Sequence, residues 1–381
     1  MSGKICYITT IPGTMDFFIE QLNYLDENGF DVTIICSSGK QVQNDLNSSI
    51  HVVPVEIPRG ISFVGSIRAV HDLLKVFKEQ KFDIIQYSTP NAAFCASIAA
   101  KLAGCRIRNY HLMGLRYLGS AGFGRTILKS LEKVTCGCST HIECVSNSNM
   151  EMGVREGLFP REKVTVIWNG SSGGVDFDKF DYGKREQWRR EVRKELGYMD
   201  SDFVYGFVGR ITGDKGVNEL LQAFLSLHTT EKLFLIGWQE NTDTLNPQWI
   251  DKARNNANIQ FHIPVTDVER YFAAIDVLLL PSYREGFGNV VIEAAAMGTP
   301  AIVTDIPGPT DAIERGKTAL VIPSKDVDSL TQAMKQIRSM DYRAMGRAAA
   351  EFAKTRFDSK VLCEKILQRK KYLLECSEHD V

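Results

Sequence analysis

Two carboxylates eight residues apart, Glu285 and Glu293, have the spacing in this chain that points most directly to chemistry. Glu285 begins a Glu-Gly-Phe-Gly loop at residues 285–288, and Glu293 lies within the helix that Asn289 is expected to open. A glycine-containing loop that leads into a helix N-terminus presents backbone N–H groups to an anion. Two carboxylates beside such a loop suit a ligand that has both hydroxyl groups and phosphate, and a nucleotide sugar is such a ligand.

The elements around this loop predict where it lies in the fold. The apolar run at residues 277–280 is typical of a strand buried on both faces, and residues 301–304 form a second such run. Gly-Thr-Pro at residues 298–300 closes the helix between them. This strand–loop–helix–strand unit places the loop at the carboxyl edge of a parallel sheet, where open α/β folds bind their ligands.

A second glycine-containing loop follows the apolar run at residues 203–208 and contains Arg210 and Lys215. Arg210 can engage phosphate in a bidentate fork, and Lys215 can act as a point charge beside it. Taken alone, Gly-Arg at a strand end is more typical of surface charges that flank a turn. The loop at residues 285–288 lies at an equivalent strand edge, however. Together the two loops place two cations and a helix N-terminus around one anion, as a diphosphate would require.

Strands and helices alternate along most of the 381 residues, which are too many for one core. Strand-like runs occur at residues 4–10, 32–37, 51–55, 84–87, 107–111, 142–145, 164–167, 203–208, 233–236, 259–262, 277–280, 301–304 and 319–322. The alternation predicts two doubly wound, Rossmann-like α/β domains with parallel sheets, residues 1–180 and 181–357, facing a cleft that binds the ligand. The charged stretch at residues 184–194 predicts a solvent-facing helix.

The composition limits the class of protein and its location. A hydrophobic content of 44%, a charged content of 24% and a net charge of −1 are typical of a soluble globular protein and argue against a nucleic-acid binder. No apolar run reaches the roughly 18 residues that span a bilayer, and no signal peptide is evident, so the nine cysteines are expected to be reduced in the cytosol. Cys136, Cys138, Cys144 and His141 lack the usual zinc spacing, so buried thiols rather than a metal site are expected.

The two loops resemble the second domain of retaining GT-B glycosyltransferases of family 4, over most of residues 203–323. Glu285 and Glu293 match the Glu-x7-Glu motif of that family. The other matching residues are Gly209, Arg210, Lys215, Gly216, Pro281, Ser282, Gly286, Phe287, Gly288 and Ala294. The resemblance implies a GT-B fold in which a C-terminal helix, residues 358–381, crosses back to the first domain. It also implies an enzyme that retains the anomeric configuration and needs neither metal nor cofactor.

The resemblance further implies a role for each matching residue. Arg210 and Lys215 would bind the diphosphate and stabilise the charge that develops on it while it leaves and helps to deprotonate the acceptor. Glu285 would hold the hydroxyls of the transferred sugar, and Glu293 those of the ribose. The remaining nucleotide-sugar-binding residues would be Gly13, Gly209, Pro264, Val265, Gly286, Phe287, Gly288 and Asn289.

Two positions in the first domain have both a functional and an ordinary interpretation. Pro-Gly-Thr at residues 12–14 follows the first strand, as the glycine loop does in the family, and places Gly13 at the donor and Thr14 at the acceptor. A tight strand–helix turn accounts for it equally well. A lone histidine such as His111 is usually structural or exposed. The position of His111, however, resembles that of the family histidine beside the donor sugar, and this resemblance would make His111 a catalytic residue.

The acceptor is suggested by basic and apolar residues of the first domain. Residues 101–133 contain seven lysines and arginines and one acid, and the apolar residues between 63 and 77 recur at helical spacing among basic ones. Such a segment can lie on an anionic membrane surface, although an ordinary core-facing helix fits as well. Residues 113–117 and 169–176 are similar to a subgroup that extends undecaprenyl-diphosphate-linked saccharides for capsule or O-antigen. By that analogy Arg116 and Arg125 would meet the lipid diphosphate.

The expected function is therefore transfer of a hexose or N-acetylhexosamine from a UDP-sugar to a polyprenyl-diphosphate-linked saccharide. The enzyme would be cytoplasmic and peripheral to the inner face of the plasma membrane. Three alternatives remain at this point. In the first, the enzyme uses the same donor but transfers the sugar to a small soluble acceptor. In the second, the chain is a two-lobed binding protein without catalysis. In the third, it is a UDP-sugar epimerase with further acidic and basic groups in the cleft.

Overall fold

The computed structural model describes residues 3–37, 45–60, 62–240 and 244–379. The chain divides into two compact units, an N-terminal unit (residues 1–173 and 359–381) and a C-terminal unit (residues 174–358). The division falls seven residues before the boundary expected at 180/181. Residues 174–180 belong to the second unit because the Val175 N–H donates to the Phe357 carbonyl at 2.7 Å and Lys179 Nζ donates to the Thr266 carbonyl at 3.0 Å.

The described part of the N-terminal unit contains one parallel sheet in the order β3-β2-β1-β4-β5-β6-β7. Its strands are β1 (Lys4–Ile8), β2 (Asp31–Cys36), β3 (His51–Pro54), β4 (Ile84–Tyr87), β5 (Ile107–Leu112), β6 (His141–Cys144) and β7 (Val164–Val166). The central strands are almost continuous apolar runs because helices cover both faces of the sheet. The strand order reverses between β1 and β4, which is the kind of position where such sheets bind ligands.

Helices on both faces complete this unit. They are α1 (Pro12–Met15), α2 (Ile19–Glu27), α3 (Phe63–Gln80), α4 (Pro90–Leu102), α5 (Gly122–Cys138), α6 (Asn147–Arg155) and α14 (Ser359–His379). The alanine-rich α4 packs between the sheet, α3 and α5, and α2 and α14 pack together elsewhere in the unit. Ser359 Oγ donates to Glu20 Oε1 at 2.8 Å and thereby joins α14 to α2. The expected return of a C-terminal helix to the first domain is confirmed.

The C-terminal unit has a second parallel sheet, in the order β10-β9-β8-β11-β12-β13 among its described residues. Its strands are β8 (Val204–Val208), β9 (Lys232–Ile236), β10 (Ile259–His262), β11 (Val277–Leu280), β12 (Ala301–Thr304) and β13 (Ala319–Ile322). Its helices are α7 (Arg185–Leu196), α8 (Val217–Ser226), α9 (Pro247–Arg254), α10 (Val268–Ala274), α11 (Asn289–Ala296), α12 (Val327–Ser339) and α13 (Tyr342–Arg356). The order reverses between β8 and β11, whose carboxyl ends precede the two loops that the sequence singles out.

Helix α7 packs one face against α10, while residues such as Arg190 and Lys194 on the other face are exposed, so the prediction of a solvent-facing helix is correct for one face only. Arg193 is only 1% exposed, and its guanidinium donates to Asp276 Oδ2 at 2.8 Å and to the Ala274 carbonyl at 2.9 Å. Arg189 donates to the other oxygen of Asp276 at 2.6 Å. The charges are tolerated inside because each is paired and hydrogen-bonded.

None of the described helices combines the length and the apolar character that crossing a bilayer requires. Within the same residues, no three or more His, Cys, Asp or Glu side chains are grouped so that they could hold a metal ion. The thiols of Cys136 and Cys144 are buried, and burial raises the pKa of each above its usual value.

Candidate functional site

The two loops of the C-terminal unit meet at the carboxyl edge of its sheet. β8 and β11 are neighbours, so the segments that follow them leave the sheet side by side. Lys215 Nζ donates to Glu285 Oε1 at 2.6 Å, and Ser282 Oγ donates to the same oxygen at 2.8 Å. The structure therefore joins a cation and a carboxylate that are 70 residues apart in the chain.

Glycines make this close approach possible. Gly216 has a φ of 71°, and a Cβ atom there would collide with the carbonyl oxygen of Pro281. Only glycine adopts that conformation without strain and lets the loop before α8 lie against the end of β11. Gly288, with a φ of 94°, precedes the first residue of α11 and turns the chain into that helix. A helix N-terminus of this kind favours bound negative charge.

Phe287 anchors the second loop rather than presenting its ring to a ligand. Its side chain is 3% exposed and packs edge-on against Phe357, with ring centroids 5.3 Å apart. Any contribution of Phe287 to ligand binding must therefore come from its backbone, as the resemblance implies for residues 286–288.

Arg210 lies beside two acidic residues that the sequence analysis did not single out. Its guanidinium is 3.1 Å from both carboxylate oxygens of Glu240 and 3.7 Å from Asp214, and about half of the side chain is exposed. Burial would raise the pKa of Asp214, but the Thr212 hydroxyl and the guanidinium groups of Arg284 and Arg210 outweigh it and hold that pKa below its ordinary value. Asp214 therefore remains a carboxylate, and a phosphate that binds Nη1 of Arg210 competes with Glu240.

Glu293 lies on α11, where burial raises the pKa of its carboxyl to about 7 and Lys179 opposes that rise. Lys179 also donates to the Thr266 carbonyl at 3.0 Å and lies 3.7 Å from Glu269 Oε2. Thr266 directly follows Pro264 and Val265, which are predicted to bind the nucleotide sugar, so Lys179 is bonded next to that segment and also acts electrostatically on Glu293. Lys179 was missed because no motif surrounds it and because the predicted boundary placed it in the first domain, residues 1–180.

Pro264 and Val265 follow β10, which is the strand at one edge of the sheet. Pro264 is exposed and Val265 is half-buried. Gly209, at the end of β8, has a φ of 152°, and its N–H donates to the Ile236 carbonyl of β9 at 2.9 Å. Gly209 follows β8, and Pro264 and Val265 follow β10, with β9 between these two strands. All three residues lie at the carboxyl edge of the sheet, which also contains Lys215 and Glu285.

His111 of the N-terminal unit is a buried, neutral imidazole. It lies on β5, is 7% exposed and packs edge-on against Phe18 at 5.3 Å between ring centroids. Neither ring nitrogen has a hydrogen-bond partner among the described residues. Burial lowers the pKa of His111 to about 4, and Lys370 adds to this effect while Glu143 opposes it. A buried polar ring without a partner is unusual and points to a ligand.

Helix α14 places a cation next to this histidine. Lys370 is fully buried, and its Nζ donates to Glu143 Oε2 at 2.7 Å and to Gln86 Oε1 at 2.6 Å. Glu143 on β6 pairs in register with His111 on β5. Burial would raise the pKa of Glu143, but Lys370 outweighs it and lowers that pKa to about 2. Glu143 is therefore ionised at neutral pH, while burial lowers the pKa of Lys370 and Glu143 opposes that effect.

The segment at residues 12–14 is helical rather than a glycine loop. Gly13 and Thr14 lie within α1, which begins directly at Pro12, and the Thr14 N–H donates to the Ile11 carbonyl at 3.2 Å. Gly13 does not have a positive φ. The local structure is thus the tight strand–helix turn that was the alternative interpretation. The proposed binding roles of Gly13 and Thr14 remain predictions.

The two arginines assigned to the acceptor differ in their surroundings. Arg116 is exposed at the start of a 3₁₀ turn (Arg116–Gly119) and has no hydrogen bond or ion pair to any residue that the structure describes. Arg125 instead donates to Glu156 at 3.1 Å, and its guanidinium lies 5.6 Å from the centre of the Tyr117 ring. Arg116 is the one that can take an anion without giving up a partner.

Comparison with solved structures defines the fold. The chain is similar to a sucrose-phosphate synthase from Thermosynechococcus elongatus, with a TM-score of 0.81 and 17% identity over 98% of this chain and all of that one. It is also similar to Anabaena Alr3699/HepE, solved in complex with UDP, with a TM-score of 0.78 and 18% identity over 98% and 100% of the two chains. The fold is GT-B, as expected from the sequence.

Comparison with other sequences defines the family. Residues 17–171 match the family described as "Glycosyltransferase Family 4", and residues 189–354 match "Glycosyl transferases group 1". The chain is 30% identical to a teichuronic acid biosynthesis glycosyltransferase, TuaC, from Bacillus subtilis over 87% of this chain and 88% of that one. It is 28% identical to a capsular polysaccharide biosynthesis glycosyltransferase, CapM, from Staphylococcus aureus over 95% of both chains. The chain belongs to the GT-B glycosyltransferases of family 4.

Proposed function

We propose that this glycosyltransferase acts in bacterial surface polysaccharide biosynthesis and moves a hexose or N-acetylhexosamine from a UDP-sugar to a polyprenyl-diphosphate-linked saccharide. An Escherichia coli relative, 25% identical over 88% of this chain, is named a UDP-Gal:α-D-GlcNAc-diphosphoundecaprenol α-1,3-galactosyltransferase, and CapM is a capsular enzyme by name. The observation that carries the proposal is the contact between Lys215 and Glu285 at the edge of the second sheet.

In the proposed donor site the two loops have different roles. Lys215 would place its ammonium on the diphosphate of the donor, while Glu285, already held by Lys215 and Ser282, would accept hydrogen bonds from the hydroxyls of the transferred sugar. Arg210 would exchange Glu240 for a phosphate oxygen. Backbone N–H groups at the start of α11 would add donors to the same anion.

The proposed reaction breaks the bond between the anomeric carbon and the diphosphate oxygen. The acceptor hydroxyl forms the new bond on the same face, and its proton passes to the departing diphosphate, so no side chain is needed as a base and no metal is required. Lys215, Arg210 and the α11 N-terminus stabilise the negative charge that collects on the leaving group. His111, uncharged at neutral pH, would exchange hydrogen bonds with a sugar hydroxyl through its two unpartnered nitrogens.

The proposal is tested directly by a panel of UDP-sugars incubated with purified protein and polyprenyl-diphosphate saccharides. Transfer with release of UDP, retention of the anomeric configuration and activity in the presence of a chelator are expected. An inverted product or a chelator-sensitive activity would contradict the mechanism. Transfer to a soluble saccharide alone would contradict the acceptor. Co-sedimentation with anionic vesicles at low salt tests the peripheral membrane location.

Arg210→Ala is expected to weaken binding of UDP-glucose roughly 10- to 100-fold, because a charged hydrogen bond to phosphate is lost. Isothermal titration of the purified variant measures this change. Arg315→Ala is the matched control, since Arg315 is an exposed arginine of the same unit that pairs with exposed Asp305 at 2.5 Å. Equal affinity in the Arg210 variant and the wild type would remove Arg210 from the donor site.

UDP-glucose is expected to bind up to roughly tenfold more tightly at pH 8 than at pH 6, because ribose hydroxyls favour the ionised form of Glu293, whose pKa is about 7 in the free protein. The diphosphate of this probe is esterified at both ends and does not titrate in that range. Lys179→Met removes the charge that opposes the rise in the pKa of Glu293, so the pH at which the affinity for UDP-glucose increases should move upward.

Glu293→Gln is the control for this pH dependence. The amide keeps the shape of the side chain and removes its ionisation, so the affinity of this variant should hardly change between pH 6 and pH 8. If the variant and the wild type show the same pH profile, Glu293 does not hold the ribose.

A further inference from the structure

An apolar cavity of about 480 Å³ opens between α3, α4 and α5 of the N-terminal unit. This volume is within the range of small-molecule sites. The hydrophobic side chains that line it are Phe63, Ile67, Val70, Phe94, Ile98, Leu128 and Leu131. The donor-site residues do not take part in it, since Lys215 and Glu285 belong to the other unit.

The first two turns of α3 leave large apolar side chains uncovered at the mouth of this cavity. Phe63 is 82% exposed, Val64 is 69% exposed and Ile67 is 57% exposed. The buried face of α3 (Ala69, Leu73 and Phe77) packs into the core of the unit. The exposed residues therefore form a second apolar surface that the fold itself does not use, and such surfaces mark binding sites.

One cation stands at the edge of the cavity. Arg116 lines it and is exposed, without a hydrogen bond or ion pair to any described residue. Two further basic side chains, Arg125 and Lys129, lie over the nearby Tyr117 ring at 5.6 and 5.8 Å. Both of these side chains pair with Glu156, at 3.1 and 2.6 Å, so the positive charge of the lining itself comes from Arg116.

Glu132, the one acid among the described residues of the lining, is about half protonated at neutral pH. Glu132 is 6% exposed and accepts a hydrogen bond from the Tyr110 hydroxyl at 2.7 Å. Burial raises the pKa of Glu132 to about 7, with the Tyr110 hydroxyl opposing it. Because a large share of this carboxyl is protonated at neutral pH, it does not impose a full negative charge on the cavity.

We propose that this cavity binds the isoprenoid chain of the lipid acceptor next to its diphosphate, and that Arg116 binds that diphosphate. The ligand has a branched hydrocarbon chain on one side and an anion on the other, which matches an apolar cavity with a cation at its rim. An anionic membrane surface alone would require the exposed apolar residues but not an enclosed cavity beside Arg116. The inference rests on the polyprenyl acceptor of the proposed function and adds the place where the lipid is held.

The cavity is tested by direct binding of geranylgeranyl diphosphate, a water-soluble isoprenoid diphosphate, in the presence of saturating UDP to block the donor site. The wild type is expected to bind it saturably. Ile67→Glu should weaken binding roughly 10-fold or more, because it places a charge where an apolar chain lies. Arg116→Ala should weaken binding of the diphosphate but leave binding of geranylgeraniol, which has no anion, unchanged.

Leu102→Glu is the matched control. Leu102 is also on a helix of this unit and is 63% exposed, but it does not line the cavity. The proposal is overturned if the wild type shows no saturable binding, if Ile67→Glu binds as tightly as the wild type, or if Leu102→Glu loses as much affinity. Thermal unfolding of each variant shows that the fold is kept, which the exposure of both positions leads us to expect.

A transfer assay separates this inference from the proposed function. If geranylgeranyl diphosphate binds as described but no polyprenyl-diphosphate saccharide is extended, the acceptor in the proposed function is wrong and the lipid cavity stands. If the wild type and Ile67→Glu extend saccharides linked to a long polyprenyl diphosphate with the same KM, the proposed function stands and the cavity assignment is wrong.

Discussion

Replacing Glu285 by glutamine is expected to reduce kcat for sugar transfer roughly 10²- to 10³-fold while leaving the affinity for UDP largely intact. Glu285 is held by Lys215 and Ser282 so that its carboxylate has a fixed position at the edge of the sheet. An amide accepts fewer and weaker hydrogen bonds from sugar hydroxyls, and it releases Lys215 from its ion pair. UDP lacks the transferred sugar, so its binding does not need the hydrogen bonds between this carboxylate and sugar hydroxyls, and Lys215 remains available for the diphosphate.

Glu314→Gln is the matched control for this prediction. Glu314 is a glutamate of the same unit that pairs with a lysine, Lys317, at 2.9 Å, but both side chains are exposed and neither lies in the donor site. Its substitution should leave kcat and UDP affinity unchanged. If Glu285→Gln retains more than a tenth of the wild-type kcat, or loses UDP affinity in parallel with kcat, Glu285 does not hold the transferred sugar.

Lys370→Met is expected to lower the free energy of unfolding of the N-terminal unit by about 3 kcal/mol at pH 7, because it leaves Glu143 buried without its main partner. Arg369 Nε lies 3.5 Å from Glu143 Oε1 and replaces only part of the lost attraction. The change in the free energy of unfolding is measured by denaturant titration, with amide hydrogen exchange as the readout for residues of this unit. Lys365→Met on the same helix is the control, since Lys365 makes one exposed hydrogen bond, to Gln368.

The pH dependence of stability distinguishes this ion pair from simple packing. The pKa of Glu143 is lowered to about 2 in the folded protein and is about 4.3 when unfolded, so its stabilisation is complete above the unfolded value and is lost as the pH falls through the folded one. Without Lys370 the buried carboxyl prefers its neutral form, so the deficit of the variant should shrink toward acid pH. Adding Glu143→Gln to Lys370→Met should restore part of the stability at pH 7. A deficit that is equal at pH 4 and pH 7 would contradict this account.

The regular elements were predictable because the strands of a doubly wound fold are buried on both faces. Each of the thirteen strands in the described residues coincides with one of the apolar runs identified from the sequence. The part of α7 that the prediction missed has a physical cause. Arg189 and Arg193 appear polar in the sequence, but they face the interior because Asp276 and backbone carbonyls more than 80 residues away satisfy them.

The candidate site also has a part that could be predicted from the sequence and a part that could not. The contact between Lys215 and Glu285 was predictable, because loops that follow neighbouring parallel strands leave the sheet at the same edge. Lys179 and Lys370 were not, because local sequence does not distinguish a lysine that meets a buried carboxylate from one that faces water. Lys370 stands between Arg369 and Lys371, a pattern typical of an exposed helix face, and yet it is fully buried.

The position of α14 also bears on how the protein is made. Ribosomes release residues 359–379 only after the whole of the C-terminal unit, although Lys370 neutralises Glu143 in the unit that is synthesised first. The C-terminal unit is one continuous stretch and can fold as it emerges. The N-terminal sheet, in contrast, lacks the partner of its buried Glu143 until translation has passed through both units. A nascent chain halted at residue 173 should therefore remain incompletely folded, and supplying residues 359–379 as a separate peptide should help it to fold.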